Sequence, residues 1–149
     1  MSRVIFMGKT GSGKTTLCQK LNELEIKYKK TQSVEIYDNS IDTPGEYLEN
    51  RNLYSALIVT AADADIIALV YDSTEDEGYF APGFASMFCK EVIGVITKIN
   101  KVDNNRIEIA EDRLKQTGAS KIFKVDTLDD IGVKELSDYL KAFWFEVNG

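Results

Sequence analysis

The chain has 149 residues, 44% of them hydrophobic and 28% charged, which fits one globular domain over residues 1–149. Its net charge of −6 argues against nucleic acid and anionic lipid as general partners, and two cysteines without any histidine argue against a zinc site. No apolar stretch approaches the roughly 20 residues of a membrane span and no signal peptide is visible, so the cytoplasm is the expected location.

In chain order, residues 3–7 read as a buried strand that runs into glycine. Residues 15–25 read as a helix, with Leu17, Leu21 and Leu24 near helical spacing. Residues 34–37 and 40–42 suggest two short strands joined by a turn at Asp38 and Asn39, forming a hairpin. Pro44 and Gly45 break the chain, and residues 48–62 carry a mixed helical pattern. A continuous apolar run at 65–71 has the length of a buried strand, followed by an acidic, Gly- and Pro-containing loop at 74–83. A short helix is expected at 84–90, a buried strand at 92–97 and a helix at 106–117 that stops at Gly118. Residues 121–125 form a further strand and 133–145 the last helix, with Leu136, Leu140 and Phe143 facing one way. Strands alternating with helices predict an α/β fold: a three-layer, mainly parallel sheet, with the hairpin adding one antiparallel edge strand. Cys18 and Cys89 sit in apolar patterns and are expected to be reduced and buried.

Gly8, Lys9, Thr10, Gly11, Ser12, Gly13, Lys14 and Thr15 fit G-x-x-x-x-G-K-[ST] in full, after a strand and before a helix. Glycines let the backbone wrap an anion, and successive N–H groups at a helix N-terminus point at its oxygens. Lys14 supplies a cation for the β- and γ-phosphates, the Thr15 hydroxyl is a Mg²⁺ ligand, and Thr16 follows within the phosphate site. The motif predicts a purine nucleotide and Mg²⁺, without choosing between ATP and GTP.

Asp42, Thr43, Pro44 and Gly45 form D-x-x-G after an apolar strand. A carboxylate there holds a Mg²⁺ water, and the Gly45 N–H approaches the γ-phosphate, so losing that phosphate frees the loop. Thr31, between the first helix and this motif, is the candidate switch threonine for Mg²⁺ and the γ-phosphate; the bland alternative is a solvated loop residue. Glu46 stands where Ras-like GTPases carry a water-orienting Gln. An ionised carboxylate donates no hydrogen bond and faces a negative phosphate, so unaided hydrolysis is expected to be slow. Lys14, Thr31, Gly45 and Glu46 are therefore the candidate catalytic residues, and Thr15, Thr31 and Asp42 the candidate Mg²⁺ ligands.

Two overlapping segments are candidates for reading the base. Thr97, Lys98, Ile99 and Asn100 fit T-K-x-D with Asn in place of Asp; Asn100, Lys101, Val102 and Asp103 fit N-K-x-D. Two carboxylate oxygens accept from guanine N1–H and N2–H₂, whereas Asn offers one acceptor and one donor group. The strand ends naturally at Thr97, and the distance to Asp126 and Thr127, beside the expected base, suits the first register; both remain open here.

Together these residues resemble the ethanolamine- and propanediol-utilisation EutP/PduV family. The resemblance is carried by Gly8–Thr15, residues 28–32, the run YDNSIDTPGEYLEN at 37–50, YSALIVTAADAD at 54–65, residues 82–88, IGVITKI at 93–99 and residues 131–136. It implies a Ras-like P-loop fold, nucleotide binding, a link to bacterial microcompartments that degrade ethanolamine or propanediol, and acetate kinase activity in the ethanolamine branch. It also favours the Thr97 register, where the family carries Asp at the position of Asn100; Asp126 and Thr127 depart from the usual small Ser-Ala pair. Three functions follow: a slow nucleoside triphosphatase serving a microcompartment, an acetate kinase, or a nucleotide-dependent module docking on shell or pathway proteins through aromatics such as Tyr47, Tyr79 and Phe80. For the kinase, Arg3, Arg51, Arg106 and Arg113 are not clustered in sequence, so no acceptor-binding Arg is named.

Overall fold

The computed structural model describes residues 4–8, 13, 16, 17, 19–21, 65–75 and 80–148, with side chains through Ala142. Among the described residues four strands form one parallel sheet in the order β1 (Val4–Met7), β2 (Ile66–Asp72), β3 (Glu91–Thr97) and β4 (Lys121–Lys124). The register sets Met7 beside Leu69, Leu69 beside Gly94 and Gly94 beside Ile122. Two long helices follow, α1 (Asn104–Thr117) and α2 (Val133–Asn148), and Thr16, Leu17 and Gln19–Leu21 are also helical.

Every residue of β2, IIALVYD, is buried. A strand flanked by two parallel neighbours and covered on both faces has no solvent side, so its sequence is apolar throughout. The period-2 alternation splits the core in two. Ile5, Met7, Ile67, Leu69, Val92 and Ile96 face α1 through Ala110 and Leu114. Val4, Phe6, Ile66, Ala68, Ile93 and Val95 face Leu17, Leu21 and the Val133, Leu136 and Leu140 stripe of α2. This three-layer arrangement agrees with the expected α/β fold. The proposed hairpin at 34–42 and helix at 48–62 lie outside the described residues.

The helix α1 begins and ends on local chemistry. Asp103 is its N-cap and accepts from the Arg106 N–H at 3.0 Å. Gly118 closes it with φ 97°, its N–H donating to the Lys115 carbonyl, as the sequence predicted. The helix lies tight on the sheet at Gly94, where an added Cβ would stand 2.9 Å from Leu114 Cδ1.

Two expectations change. The segment 84–90 forms only a 3₁₀ turn, Phe84–Met87, entered through Gly83 at φ 77°. Phe88 takes an extended backbone, φ −109° and ψ 136°, which ends the turn, and its ring packs on Phe84 with centroids 5.5 Å apart. Cys89 is exposed, not buried: Phe88 takes the inward position and Cys89 and Lys90 lie on the outer turn into β3. Cys18 lies outside the described residues. Of the three aromatics considered for docking, Phe80 is 9% exposed and packs on Phe84 with centroids 5.4 Å apart, while Tyr47 and Tyr79 lie outside the described residues.

Candidate functional site

In a parallel sheet the loops at the carboxyl ends of the strands gather into one crevice. Here β1 ends at Met7 and passes to buried Gly8. Gly13 has φ 100°, a conformation that suits glycine, and its carbonyl accepts from the Leu17 N–H at 2.9 Å. That hydrogen bond ties the helical residues Thr16 and Leu17 to Gly13 of the glycine motif. A Cβ on Gly13 would lie 3.7 Å from Thr97 Cβ, so Gly13 packs against the end of β3.

A cavity of about 200 Å³ opens at this junction, lined by Gly13, Thr16, Thr97, Lys98, Lys101, Asp126, Thr127 and Leu128. It is smaller than the roughly 300–1,000 Å³ of pockets that take a whole drug-sized ligand, and suits one ring system of a larger molecule.

The wall at β3 is held by a polar network. Thr97 is 3% exposed and its hydroxyl donates to the Tyr71 carbonyl at 3.4 Å. Lys98 adopts φ 60°, a left-handed conformation that turns the chain out of the strand. Its ammonium meets Asp72 Oδ2 at 2.7 Å, and the residue lines the cavity. Ser73 joins the ends of β2 and β3: its N–H donates to the Thr97 carbonyl and its hydroxyl to the Lys98 carbonyl, at 3.2 and 3.0 Å. Thr74 donates to Asp72 Oδ1 through both its N–H and its hydroxyl, at 2.8 and 2.6 Å. Burial alone would push the Asp72 carboxyl up. The hydrogen bonds from Lys98 and Thr74, with the Lys98 charge, outweigh it and hold the group below the ordinary carboxylate value.

The opposite wall follows β4. Val125 N–H donates to the Ile96 carbonyl, and Asp126 and Ile131 exchange two backbone hydrogen bonds of 2.9 Å. Between them Asp126 Oδ1 accepts from the Leu128 and Asp129 N–H groups at 2.9 and 3.2 Å. This Asx-type turn presents Thr127 and Leu128 to the cavity. Lys20 pairs with Asp130 at 3.2 Å and ties the loop to the helical segment.

Of the base-reading candidates, Thr97, Lys98, Lys101, Asp126 and Thr127 line the cavity, together with Gly13 and Thr16 from the phosphate motif. Asn100 and Asp103 do not. Asn100 donates to Asp129 Oδ2 at 2.7 Å, and Asp103 is occupied in capping α1. Lys9, Thr10, Gly11, Ser12, Lys14, Thr15, Thr31, Asp42, Gly45 and Glu46 lie outside the described residues, and with them every candidate Mg²⁺ ligand. The Asp72–Lys98 pair was not singled out from the sequence. Its signal was a carboxylate ending an apolar strand, IIALVYD.

A family model described as ethanolamine utilisation and propanediol utilisation, PduV-EutP, matches residues 1–142. The chain belongs to the PduV–EutP family. It is 42% identical over 142 residues to the propanediol utilization protein PduV of Citrobacter freundii, covering 95% of each chain. It is 35% identical over 145 residues to the probable acetate kinase EutP of Escherichia coli K12, covering 95% of this chain and 91% of that one. Among solved structures, elongation factor SelB of Methanococcus maripaludis with the GTP analogue GPPNHP superposes with a TM-score of 0.64 at 21% identity. The cytosolic domain of Thermotoga maritima FeoB in its GMPPNP form gives 0.62 at 22%. The matches cover 97% and 96% of this PduV–EutP chain, but only 34% and 63% of those two. These likenesses show the α/β fold of P-loop GTPases, as the sequence led one to expect. Among the described residues no helix is long and apolar enough to cross a membrane.

Proposed function

We propose that this chain binds a purine nucleoside triphosphate with Mg²⁺ and hydrolyses it slowly, serving ethanolamine or propanediol utilisation. The observation that carries the reading is the meeting of Gly13, the glycine before the Lys-Thr pair of a complete G-x-x-x-x-G-K-T motif, with the Thr97–Lys98 and Asp126–Thr127 walls of one cavity. In the proposed complex the glycine loop and Lys14 hold the phosphates, and the base enters the cavity along the Lys98 stem. Thr15, Thr31 and Asp42 would hold Mg²⁺, which would supply charge neutralisation at the phosphates, and Gly45 would sense the γ-phosphate. Glu46 keeps the unaided rate low. The GTP analogues bound by the structural neighbours support a guanine nucleotide, with ATP as the alternative. The setting inferred from the family is a bacterial microcompartment, with shell or pathway proteins as partners.

Calorimetric titration with GDP, GTP, ADP and ATP, with and without Mg²⁺, tests this reading. Micromolar or tighter binding of one purine pair, weakened by removing Mg²⁺ and by Lys14→Ala, is expected. Absence of binding to all four nucleotides defeats it.

A second reading is favoured by the name of the 35%-identical relatives: transfer of the γ-phosphoryl group of ATP to acetate. The acetate oxygen attacks phosphorus, the bond to the ADP leaving oxygen breaks, and Lys14 with Mg²⁺ stabilises the transferring group. Arg106 and Arg113, apart in sequence, meet on one face of α1 beside Tyr71 and Ser73 in a cavity of about 60 Å³. Arg106 donates to the Thr74 carbonyl and Arg113 to the Tyr71 hydroxyl. Acetyl phosphate formed from Mg²⁺-ATP and acetate no faster than by a Lys14→Ala control eliminates this reading.

A further inference from the structure

The cavity wall contains a buried carboxylate of which the fold uses one oxygen and leaves the other over. Asp126 is 3% exposed and lines the cavity wall. Its Oδ1 is committed to the Leu128 and Asp129 N–H groups. Its Oδ2 has no partner among the described residues. A buried carboxylate oxygen left without a donor costs free energy, so a site that retains one has a donor to receive.

At Asn100, where a guanine reader needs a carboxylate, this chain has an amide, and its NH₂ group is already engaged with Asp129. We infer that Asp126 is the base-reading carboxylate of this site, taking over from the opposite wall the acceptor role that Asn100 lacks. The inference rests on the nucleotide-binding reading above and names the base. Asp126 Oδ2 accepts from guanine N1–H and N2–H₂, while Oδ1 keeps the loop in shape.

Two neighbours agree with this polarity. The Thr127 N–H has no acceptor among the described residues, and Lys101, which lines the same cavity, forms no ion pair among them. Both are donors suited to guanine O6, an acceptor; adenine presents an NH₂ group at the corresponding position, which a lysine ammonium repels. A carboxylate flanked by two donors thus matches the donor and acceptor order of guanine. The family's fold places the reading carboxylate on the strand-to-helix segment after β3, whereas here it stands on the loop after β4.

The test compares GDP, IDP, XDP and ADP, each with Mg²⁺, on the full chain and on Asp126→Asn. IDP lacks the N2 amino group, and XDP carries a carbonyl there. The wild type is expected to bind GDP about tenfold or more tighter than IDP, the worth of one hydrogen bond to a charged group. Asp126→Asn retains an oxygen for the Leu128 and Asp129 N–H groups and offers an NH₂ to the xanthine carbonyl. It is expected to lose about tenfold or more for GDP and to bind XDP more tightly than the wild type does. Equal wild-type affinities for GDP and IDP, which require no variant, overturn the inference. So does unchanged GDP binding in Asp126→Asn, or an equal loss for all four nucleotides. If the wild type binds ADP as well as GDP, only this inference falls; if it binds no nucleotide, the proposed function falls with it.

Discussion

Lys98 carries two tasks with one side chain. Its ammonium compensates the buried Asp72 carboxylate at 2.7 Å, and the residue also lines the cavity. Replacing it by Met keeps the stem and removes the charge, which separates the two. Asp72, with its folded pKa below the ordinary 3.8, contributes stability that is present above that value and is lost as the pH falls through the folded pKa. In Lys98→Met, desolvation meets less opposition and the Asp72 pKa rises. The acid-unfolding midpoint is then expected to move to higher pH, with about 1–2 kcal/mol lost at neutral pH, because Thr74 still donates to the carboxylate. Carboxyl-detected NMR titration and acid denaturation check both. An unshifted Asp72 titration shows that the ion pair is not what lowers it.

Asp103 makes the complementary case. The sequence allowed it to be the last residue of N-K-x-D, a guanine reader; in the fold it is an N-cap outside the cavity wall. Asp103→Ala is expected to lower stability by about 1 kcal/mol, the usual worth of such a cap. The ratio of GDP to ADP affinity should stay the same. Chemical denaturation reads the first and calorimetry the second, and a changed ratio returns Asp103 to the base site. No pattern of residue types distinguishes a capping Asp from a ligating one, since both follow a strand and precede a helix. Only the position of β3's end, fixed by its pairing with β2 and β4, separates them.

At the scale of elements, the strands were legible because parallel pairing demands apolar runs, and IIALVYD and EVIGVIT supply them. The stop of α1 was legible because Gly118 adopts a left-handed conformation. The loop after β4 was not, because its shape depends on side-chain-to-backbone bonds from one buried residue, Asp126, and on a backbone approach at Gly132. Gly132 has φ 74°, and a Cβ there would stand 2.1 Å from the Lys124 carbonyl oxygen. The Gly132 carbonyl also accepts from Leu136 N–H, opening α2. Gly132→Ala must therefore distort either β4 or the start of α2, costing about 1–3 kcal/mol or more from backbone strain. Because the same loop carries Asp126 and Thr127, nucleotide affinity should fall too, which thermal melting and calorimetry on one preparation will show together. Gly83→Ala, strained likewise at φ 77° but with nothing nearer than Ser86 Oγ at 3.8 Å and remote from the cavity lining, is expected to cost stability without changing affinity.

For the whole molecule, the proposed ligand bridges parts of the sheet that are far apart in the chain. Its phosphates sit on the loop after β1, and its base lies between the ends of β3 and β4. Gly13, Thr97 and Asp126 come from three chain segments, and in the described structure they meet around the cavity. A ligand that binds only this assembled arrangement stabilises the native state by RT ln(1 + [L]/Kd), about 2.7 kcal/mol at one hundred times Kd. For a domain of this size that corresponds to a rise in Tm of about 5–10 °C. The rise is expected with Mg²⁺ and the preferred purine nucleotide. It should shrink when Mg²⁺ is chelated, if the proposed metal site is right, and vanish in Lys14→Ala. Asp126→Asn should narrow the gap between the guanine and adenine nucleotides, with the phosphate contribution left in place. Differential scanning fluorimetry across this set separates the two halves of the site. A Tm that follows phosphate and Mg²⁺ but ignores the base leaves the glycine loop as the only binding element. A Tm that follows the base as well requires the loops after β3 and β4 to close on the same molecule.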